Sequence, residues 1–244
     1  MIQHEKNEHV NFINRYLHSR RYEYLKSFLQ MKYRKKRIKV LEIGVGHGRL
    51  FAELNAILDI DFTGIEFVQE FFITAKEKYA DCSNFKLIQG SILDKELQDK
   101  LDESYDVIVA LETFEHIHTR NIASVFDLFR NKITCTYFIT SVPVEVGFTI
   151  FVKNFGSFLM HYRRYKEYTI KDTIISMFYQ VQKLKPHSGT NDYPGHKGFD
   201  WRCYRYLLHQ DFEIRKIIHL PLIWLPSFLS TNVMFISAPR KKLY

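Results

Sequence analysis

The sequence predicts an α/β protein with a mostly parallel, seven-stranded sheet and helices on both faces. Three observations carry this reading. Apolar runs and amphipathic stretches alternate without a break from residue 38 to residue 143, the rhythm of strands joined by helical crossovers. The first run leads into three glycines at alternate positions, "VLEIGVGHGRL" at 40–50, which suits a tight turn opening a helix. The second run, "DFTGIEF", closes on an acid, Glu66. The 244 residues suffice for one such unit with an ordinary core, so 1–244 reads as a single domain.

The elements follow in order. Residues 10–31 place Phe12, Ile13, Tyr16, Leu17, Tyr24, Leu25, Phe28 and Leu29 at helical spacing, which makes 1–37 a basic, helical N-terminal segment. A strand at 38–43 precedes the glycines, and "RLFAELNAIL" after them reads as a helix. Next come the strand "DFTGIEF", the helix "QEFFITAKEKYA" and the strand "FKLIQG". "SILDKELQDKL" is a loop or short helix, "YDVIVAL" a strand, "ETFEHIHTRNIASVFDLFRNK" one helix, and "TCTYFITSVP" the fifth strand. From 145 to 198 the rhythm fails, and this stretch reads as an insertion with helices at 148–162 and 169–183 and an exposed loop, "KPHSGTNDYPGHKG". The helix "FDWRCYRYLLH" and the strands "FEIRKIIHL" and "NVMFISA" complete the chain.

Composition narrows the class. The sequence is 46% hydrophobic and 25% charged, as in a folded globular protein and unlike a disordered one. The N-terminus carries no apolar secretory core, and Cys82, Cys135 and Cys203 are widely separated, which suits reduced thiols in a cytoplasmic protein. Residues 220–238 carry no charge, yet Pro221, Pro226 and Asn232 interrupt them, and two strands joined by a turn account for the stretch better than a membrane span. The formal charge of +8 is uneven. Residues 1–39 hold eleven Lys/Arg against three acids and residues 145–198 eight against four, so the basic character flanks the core. That asymmetry fits an anionic partner or simply a solvated surface.

Gly44, Gly46 and Gly48 let the backbone approach a ligand closely at a helix N-terminus, although the GxGxG spacing alone also fits a plain turn. Glu66, at the end of the second strand, is placed to accept both hydroxyl hydrogens of a ribose. Ser91, after the third strand, sits where an adenine edge is read. Together they suggest an adenosine site. "VLEIGVGHGRL", "GIEF", "IQGSILD" and "YDVIVALETFEHI", in this order over about residues 38–143, resemble the class I S-adenosylmethionine-dependent methyltransferases, whose fold is Rossmann-like. The resemblance implies S-adenosyl-L-methionine as cofactor. Its methionine end would lie on Gly44–Gly48 with Glu42 near the amino group. Glu66 would hold the ribose, Phe67 would pack on the adenine, and Ser91 with Ile92 would contact its edge.

Glu112, Glu115 and His116 in "ETFEH" stand at i, i+3 and i+4, so a helix would put them on one face, where they could hold Mg²⁺ or Mn²⁺. Many class I methyltransferases carry such a run without metal. "GHKGFDWR" at 195–202 resembles a segment of the small-RNA 3′-terminal 2′-O-methyltransferases and implies His196 as a fourth ligand, with Gly198 as one extra residue before Phe199. "TSVPVEVG" is closer to bacterial methyltransferases associated with surface-polysaccharide synthesis. With metal, a sugar hydroxyl would be acidified on the ion; without it, His116 or His196 would be the general base.

The leading expectation is therefore O-methylation of a sugar hydroxyl in a glycan or glycosylated precursor, with an anionic or lipid-linked acceptor and 145–198 as acceptor lid. The alternatives are 2′-O-methylation of RNA 3′ ends, methylation of another small molecule, and a silent binding module. The aromatic and basic run 147–168 adds peripheral contact with the inner face of a membrane as a further option.

Overall fold

The computed structural model describes residues 12–159, 168–184, 196–221 and 227–240, without the side chains of 12–18, 159 and 227. All seven strands join one sheet in the order β3-β2-β1-β4-β5-β7-β6. β1 (Ile38–Ile43), β2 (Ile60–Glu66), β3 (Phe85–Gln89), β4 (Ser104–Leu111) and β5 (Thr134–Pro143) run parallel. β7 (Asn232–Pro239) inserts antiparallel between β5 and β6 (Phe212–Leu220). This is the Rossmann-like methyltransferase fold expected from the sequence, and its parallel part reverses direction of growth between β1 and β4. Ligands of open α/β sheets bind outside the carboxyl ends of the strands at such a point.

Both faces of the sheet are buried because its strands alternate apolar side chains between two cores. In β4, Tyr105, Ile108 and Ala110 enter one core, while Val107, Val109 and Leu111 enter the other. The second core is closed by α1 (Phe12–Tyr33), through Leu25, Leu29 and Tyr33 at four-residue spacing, and by α2 (Arg49–Asn55), through Leu50, Phe51 and Leu54. α3 (Gln69–Lys78) adds Ala75. The first core is closed by α4 (Lys95–Gln98), α5 (Thr119–Asn131) and α8 (Trp201–Asp211), and it is rich in aromatic rings such as Phe114, Phe126, Phe138 and Tyr204.

Between β5 and α8 lie α6 (Phe148–Leu159) and α7 (Ile170–Met177), the latter started by a reciprocal capping box of Thr169 and Asp172. Their tether to the sheet is polar. The Lys153 ammonium donates to Glu145 at 3.1 Å and to the carbonyls of Val144 and Thr231, and the Tyr168 hydroxyl donates to the other Glu145 oxygen. Glu145 is fully buried. Lys153→Met strands that carboxylate, and it is expected to destabilise the fold by about 3 kcal/mol in urea unfolding. α6 leaves Phe148, Phe151, Phe155 and Phe158 exposed.

Two expectations need correction. The single helix expected over 112–132 is broken into a 3₁₀ turn at Phe114–His116 and α5 from Thr119. Glu112 has φ 52° and so stands outside both, and Ile117 is extended. Of the uncharged stretch 220–238, only Leu220 belongs to β6, and the chain reaches β7 through a 3₁₀ turn at Ser227–Leu229. Among the described residues no helix is long and apolar enough to cross a membrane. The basic cluster Arg163, Arg164 and Lys166, and the loop residues 185–195, lie outside the described residues.

Candidate functional site

The glycine loop follows β1 at the point where the sheet reverses. Gly44 and Gly48 have φ of 78° and 75°, in the left-handed region, and each is also packed too closely for a side chain. A Cβ at Gly44 would strike the Thr113 hydroxyl, and one at Gly48 the Tyr79 ring. Above Gly46 the space is open, with nothing within 4 Å of a built Cβ. The loop is thus anchored at its two ends and free at its middle, which suits a backbone that a ligand approaches.

Glu66 ends β2 beside this loop. Its carboxylate accepts from the amides of Gly46 and Val68, both at 2.7 Å. Burial raises its pKa, and these amides pull the other way. Glu42, one strand away, is buried, and its Oε2 has no hydrogen-bond partner among the described residues. Burial first, then the neighbouring Glu66, holds the Glu42 carboxyl well above the usual carboxylate range. A group whose folded pKa is raised contributes stability below its ordinary value of 4.5 and loses it as pH rises through the folded one. Glu42→Gln is therefore expected to melt higher than the parent at about pH 8, with the gap closing towards about pH 4 in thermal scans.

Ser91 and Ile92 follow β3, next to Glu66: the Gly90 amide donates to the Glu66 carbonyl at 3.0 Å. Ser91 is held by a local turn, its amide on the Asp94 carboxylate and its hydroxyl accepting from the Leu93 amide. Ile92 is buried, and Phe67 after β2 is 58% exposed and so accessible to a planar ligand. The structure therefore brings Glu42, Gly44, Gly46, Gly48, Glu66, Phe67, Ser91 and Ile92 to the carboxyl ends of three adjacent strands.

The second constellation is rearranged. Glu112, with its positive φ, stands outside the 3₁₀ turn, and its carboxylate pairs with Arg21 at 2.7 Å and accepts from the Asn232 side-chain amide. The side chain of the next residue, Thr113, fixes this turn by donating to the Ile43 carbonyl at 2.9 Å. Glu115 and His116 come together instead with His196, their ligand atoms lying within 4.8 Å of one another. The two imidazoles meet edge to face with centroids 4.6 Å apart. Neither Glu115 oxygen has a hydrogen-bond partner among the described residues, and both are buried. Burial, and next the Glu112 charge, push its pKa well up. A buried carboxylate with two imidazoles is a mixed N/O donor set that fits a divalent cation. His196 reaches this place because Gly198, at φ 86°, turns the chain before Asp200 caps α8 through the Arg202 amide.

Three residues at the site escaped the sequence reading: Arg21 and Tyr22 of α1, and Asn232 of β7. Arg21 sat in a run of basic residues and nothing in the pattern set it apart from Arg20.

Residues 40–133, from β1 through α5, match the family described as a methyltransferase domain. No curated protein sequence matches the chain significantly. Among solved structures, the chain is similar to magnesium protoporphyrin IX methyltransferase (ChlM) from Synechocystis PCC 6803 with bound SAH, at TM-score 0.60 and 13% identity over 95% of this chain and 89% of that one. It is similar also to the methyltransferase domain of bacterial CtHen1-CN, at TM-score 0.58 and 15% identity over 91% and 99%. A third similarity is to the small RNA methyltransferase HEN1, at TM-score 0.59 and 14% identity over 93% of this chain and 26% of that one. The fold and the matched domain define the class: the fold is that of S-adenosylmethionine-dependent methyltransferases. S-adenosyl-L-methionine is the cofactor of that class.

Proposed function

We propose that this chain is an S-adenosylmethionine-dependent O-methyltransferase of a sugar hydroxyl in a glycan or glycosylated precursor, with a divalent cation held by Glu115, His116 and His196. The observation that carries it is the buried Glu115 carboxylate, which has no hydrogen-bond partner among the described residues and has the His196 imidazole at 4.0 Å, with His116 beside it. Such a group has no use in binding the methyl donor and suits activation of an alcohol.

The residues divide the work as follows. The carboxylate of Glu66 accepts the ribose hydroxyl protons, while the open backbone at Gly46 lets the donor lie against the loop. Phe67 stacks on the adenine, with Ser91 and Ile92 at its edge, and Glu42 lies under the methionine end. When bound, S-adenosylmethionine supplies an electrophilic methyl group on a sulfonium. A divalent ion, Mg²⁺ or Mn²⁺, would lower the pKa of a bound hydroxyl. Without the ion, His116 or His196 would take the hydroxyl proton as general base, and on either route holding the oxygen in line with the methyl supplies much of the rate.

The single domain of 1–244 then has two functional appendages. The basic N-terminal segment, 1–37, supplies α1, and the insertion, 145–198, covers the acceptor. The exposed Phe151, Phe155 and Phe158 of α6 suit an acceptor with an apolar carrier, and the excess of Lys/Arg suits an anionic one, as in a lipid-linked sugar phosphate. A cytoplasmic protein resting on the inner face of a membrane would meet such an acceptor there. The second reading, 2′-O-methylation of an RNA 3′ end, draws on the Glu115/His116/His196 cluster and on the similarity to the small RNA methyltransferase HEN1.

The deciding experiment presents radiolabelled methyl donor to glycans, nucleotide sugars, lipid-linked sugars and RNA 3′ ends. Alkali-stable label on a sugar hydroxyl supports the first reading, and label on a terminal ribose supports the second. Transfer only to nitrogen, carbon or a carboxylate overturns both.

A further inference from the structure

α6 is built inside out. A surface helix ordinarily turns its apolar stripe to the core and its polar residues to water. Here the positions facing the protein are mostly polar. Thr149 donates to the Phe228 carbonyl at 2.6 Å, Lys153 holds Glu145, and Asn154 donates to the Thr173 hydroxyl of α7 at 2.8 Å. Among the described side chains of α6, Ile150 alone is apolar and buried. The outward positions, Phe148, Phe151, Val152, Phe155 and Phe158, follow the helical repeat and are all apolar, between 44% and 61% exposed. Their rings form a row that continues into the next turn of chain: Phe155, Phe151, Phe148 and Phe228 follow one another with centroids 5.8 to 6.3 Å apart. α7 repeats the pattern. Ser176 is buried and Thr173 bonds to α6, whereas Ile170 and Ile174, and Phe178 just beyond the helix, are exposed.

Single exposed apolar residues are ordinary, but a row of rings on a helix whose polar side is satisfied within the protein calls for an apolar medium outside. Charge says which one. Both described acids of the insertion are engaged inside it, Glu145 by Lys153 and Tyr168, and Asp172 by Lys197 at 2.8 Å. Lys171, which follows Ile170, and Lys183 are exposed, and the insertion holds eight Lys/Arg against four acids. Two copies meeting through this face would bring like charges together, whereas acidic lipid headgroups complement it. Exposed rings with lysines beside them are the make-up of an element that lies in the interface of a bilayer.

We propose that α6 and α7 form a membrane-docking face that sets its row of phenylalanines into an anionic phospholipid leaflet, with Lys171 and Lys183 at the headgroups. The Asp172–Lys197 pair ties α7 to the residue beside His196, so the docked helices are joined to the segment that carries the candidate acceptor site. A lipid-linked acceptor is then met in the leaflet that holds it. This deepens, and rests on, the reading that the protein works at a membrane surface. It needs no methyl donor, so it is tested apart from methyl transfer.

The test is co-sedimentation of the full chain with vesicles of phosphatidylcholine alone and of phosphatidylcholine with equimolar phosphatidylglycerol. The parent is expected to bind the anionic vesicles and to lose binding as salt is added. Phe151→Ser combined with Phe155→Ser is expected to weaken that binding at least about tenfold, while Met31→Ser, at an exposed apolar residue of α1, leaves it unchanged. Lys171→Glu is expected to weaken it several-fold. In Phe155→Trp, lipids brominated in their acyl chains are expected to quench the added fluorescence, which attraction to headgroups alone would not produce. Absence of binding to anionic vesicles by the parent, undiminished binding after the two Phe→Ser changes, or equal binding to both kinds of vesicle overturns the proposal. So does a parent dimer in sedimentation equilibrium that those two changes convert to monomer, since the face would then serve a second copy. None of these results touches methyl transfer, whose failure would show only in the radiolabel experiment.

Discussion

Glu66→Ala is expected to reduce affinity for S-adenosylhomocysteine by about a hundredfold, or about 3 kcal/mol, in calorimetry. Two effects add. The carboxylate offered to the ribose hydroxyls is lost, and charge-assisted bonds of this kind contribute the most among hydrogen bonds. The Gly46 and Val68 amides, now held by the two Glu66 oxygens, also lose their partner, so the glycine loop loses its brace from β2. Glu66→Gln keeps the shape and one acceptor and is expected to fall between the two. Affinity unchanged by Glu66→Ala would remove the ribose assignment, because no other group at the end of β2 replaces it.

Chelation is expected to have the other large effect. Methyl transfer in EDTA is expected to fall to background, with activity restored by Mn²⁺ or Mg²⁺, and Glu115→Ala is expected to abolish the restoration. The physical reason is the state of Glu115. Its two oxygens are buried without hydrogen-bond partners among the described residues, and the nearby Glu112 disfavours its ionised form further. A carboxylate in that position is costly to ionise unless a cation shares it. Donor affinity measured in the same chelator is expected to be unchanged, since Glu66 and the glycine loop follow β2 and β1, whereas the Glu115 cluster follows β4. Full turnover in chelator would instead leave proton transfer to His116 or His196 alone.

Much of this site is legible along the chain because it is built from local turns. The glycines, Glu66 and Ser91 each follow a strand directly, and a parallel sheet brings the ends of consecutive strands to one edge whatever else happens. Spacing in sequence therefore becomes proximity in space, and the gathering of these residues at one edge could be read from the chain. The "ETFEH" run misleads for the converse reason. Its i, i+3, i+4 spacing places three side chains on one face only if a helix starts at Glu112. The structure starts a 3₁₀ turn at Phe114 instead, because Thr113 is bonded back to Ile43 of the neighbouring strand. A contact seventy residues away in sequence decides the backbone there, and no local pattern records it.

The sequence by itself determined the strand-and-helix rhythm, the parallel core and the row of residues at the strand ends proposed for the cofactor, since hydrophobic period and turn chemistry act over a few residues. Only the tertiary structure decided that Glu112 leaves the cluster of Glu115, His116 and His196, and that Arg21 rather than Arg20 turns inward to meet it. Those choices depend on α1 crossing the sheet and on β7 inserting beside β5, which bring Arg21 and Asn232 to Glu112. Burial and charge pairing between segments 91 and 120 residues from Glu112 are properties of the packed molecule, so they are settled only when the sheet closes.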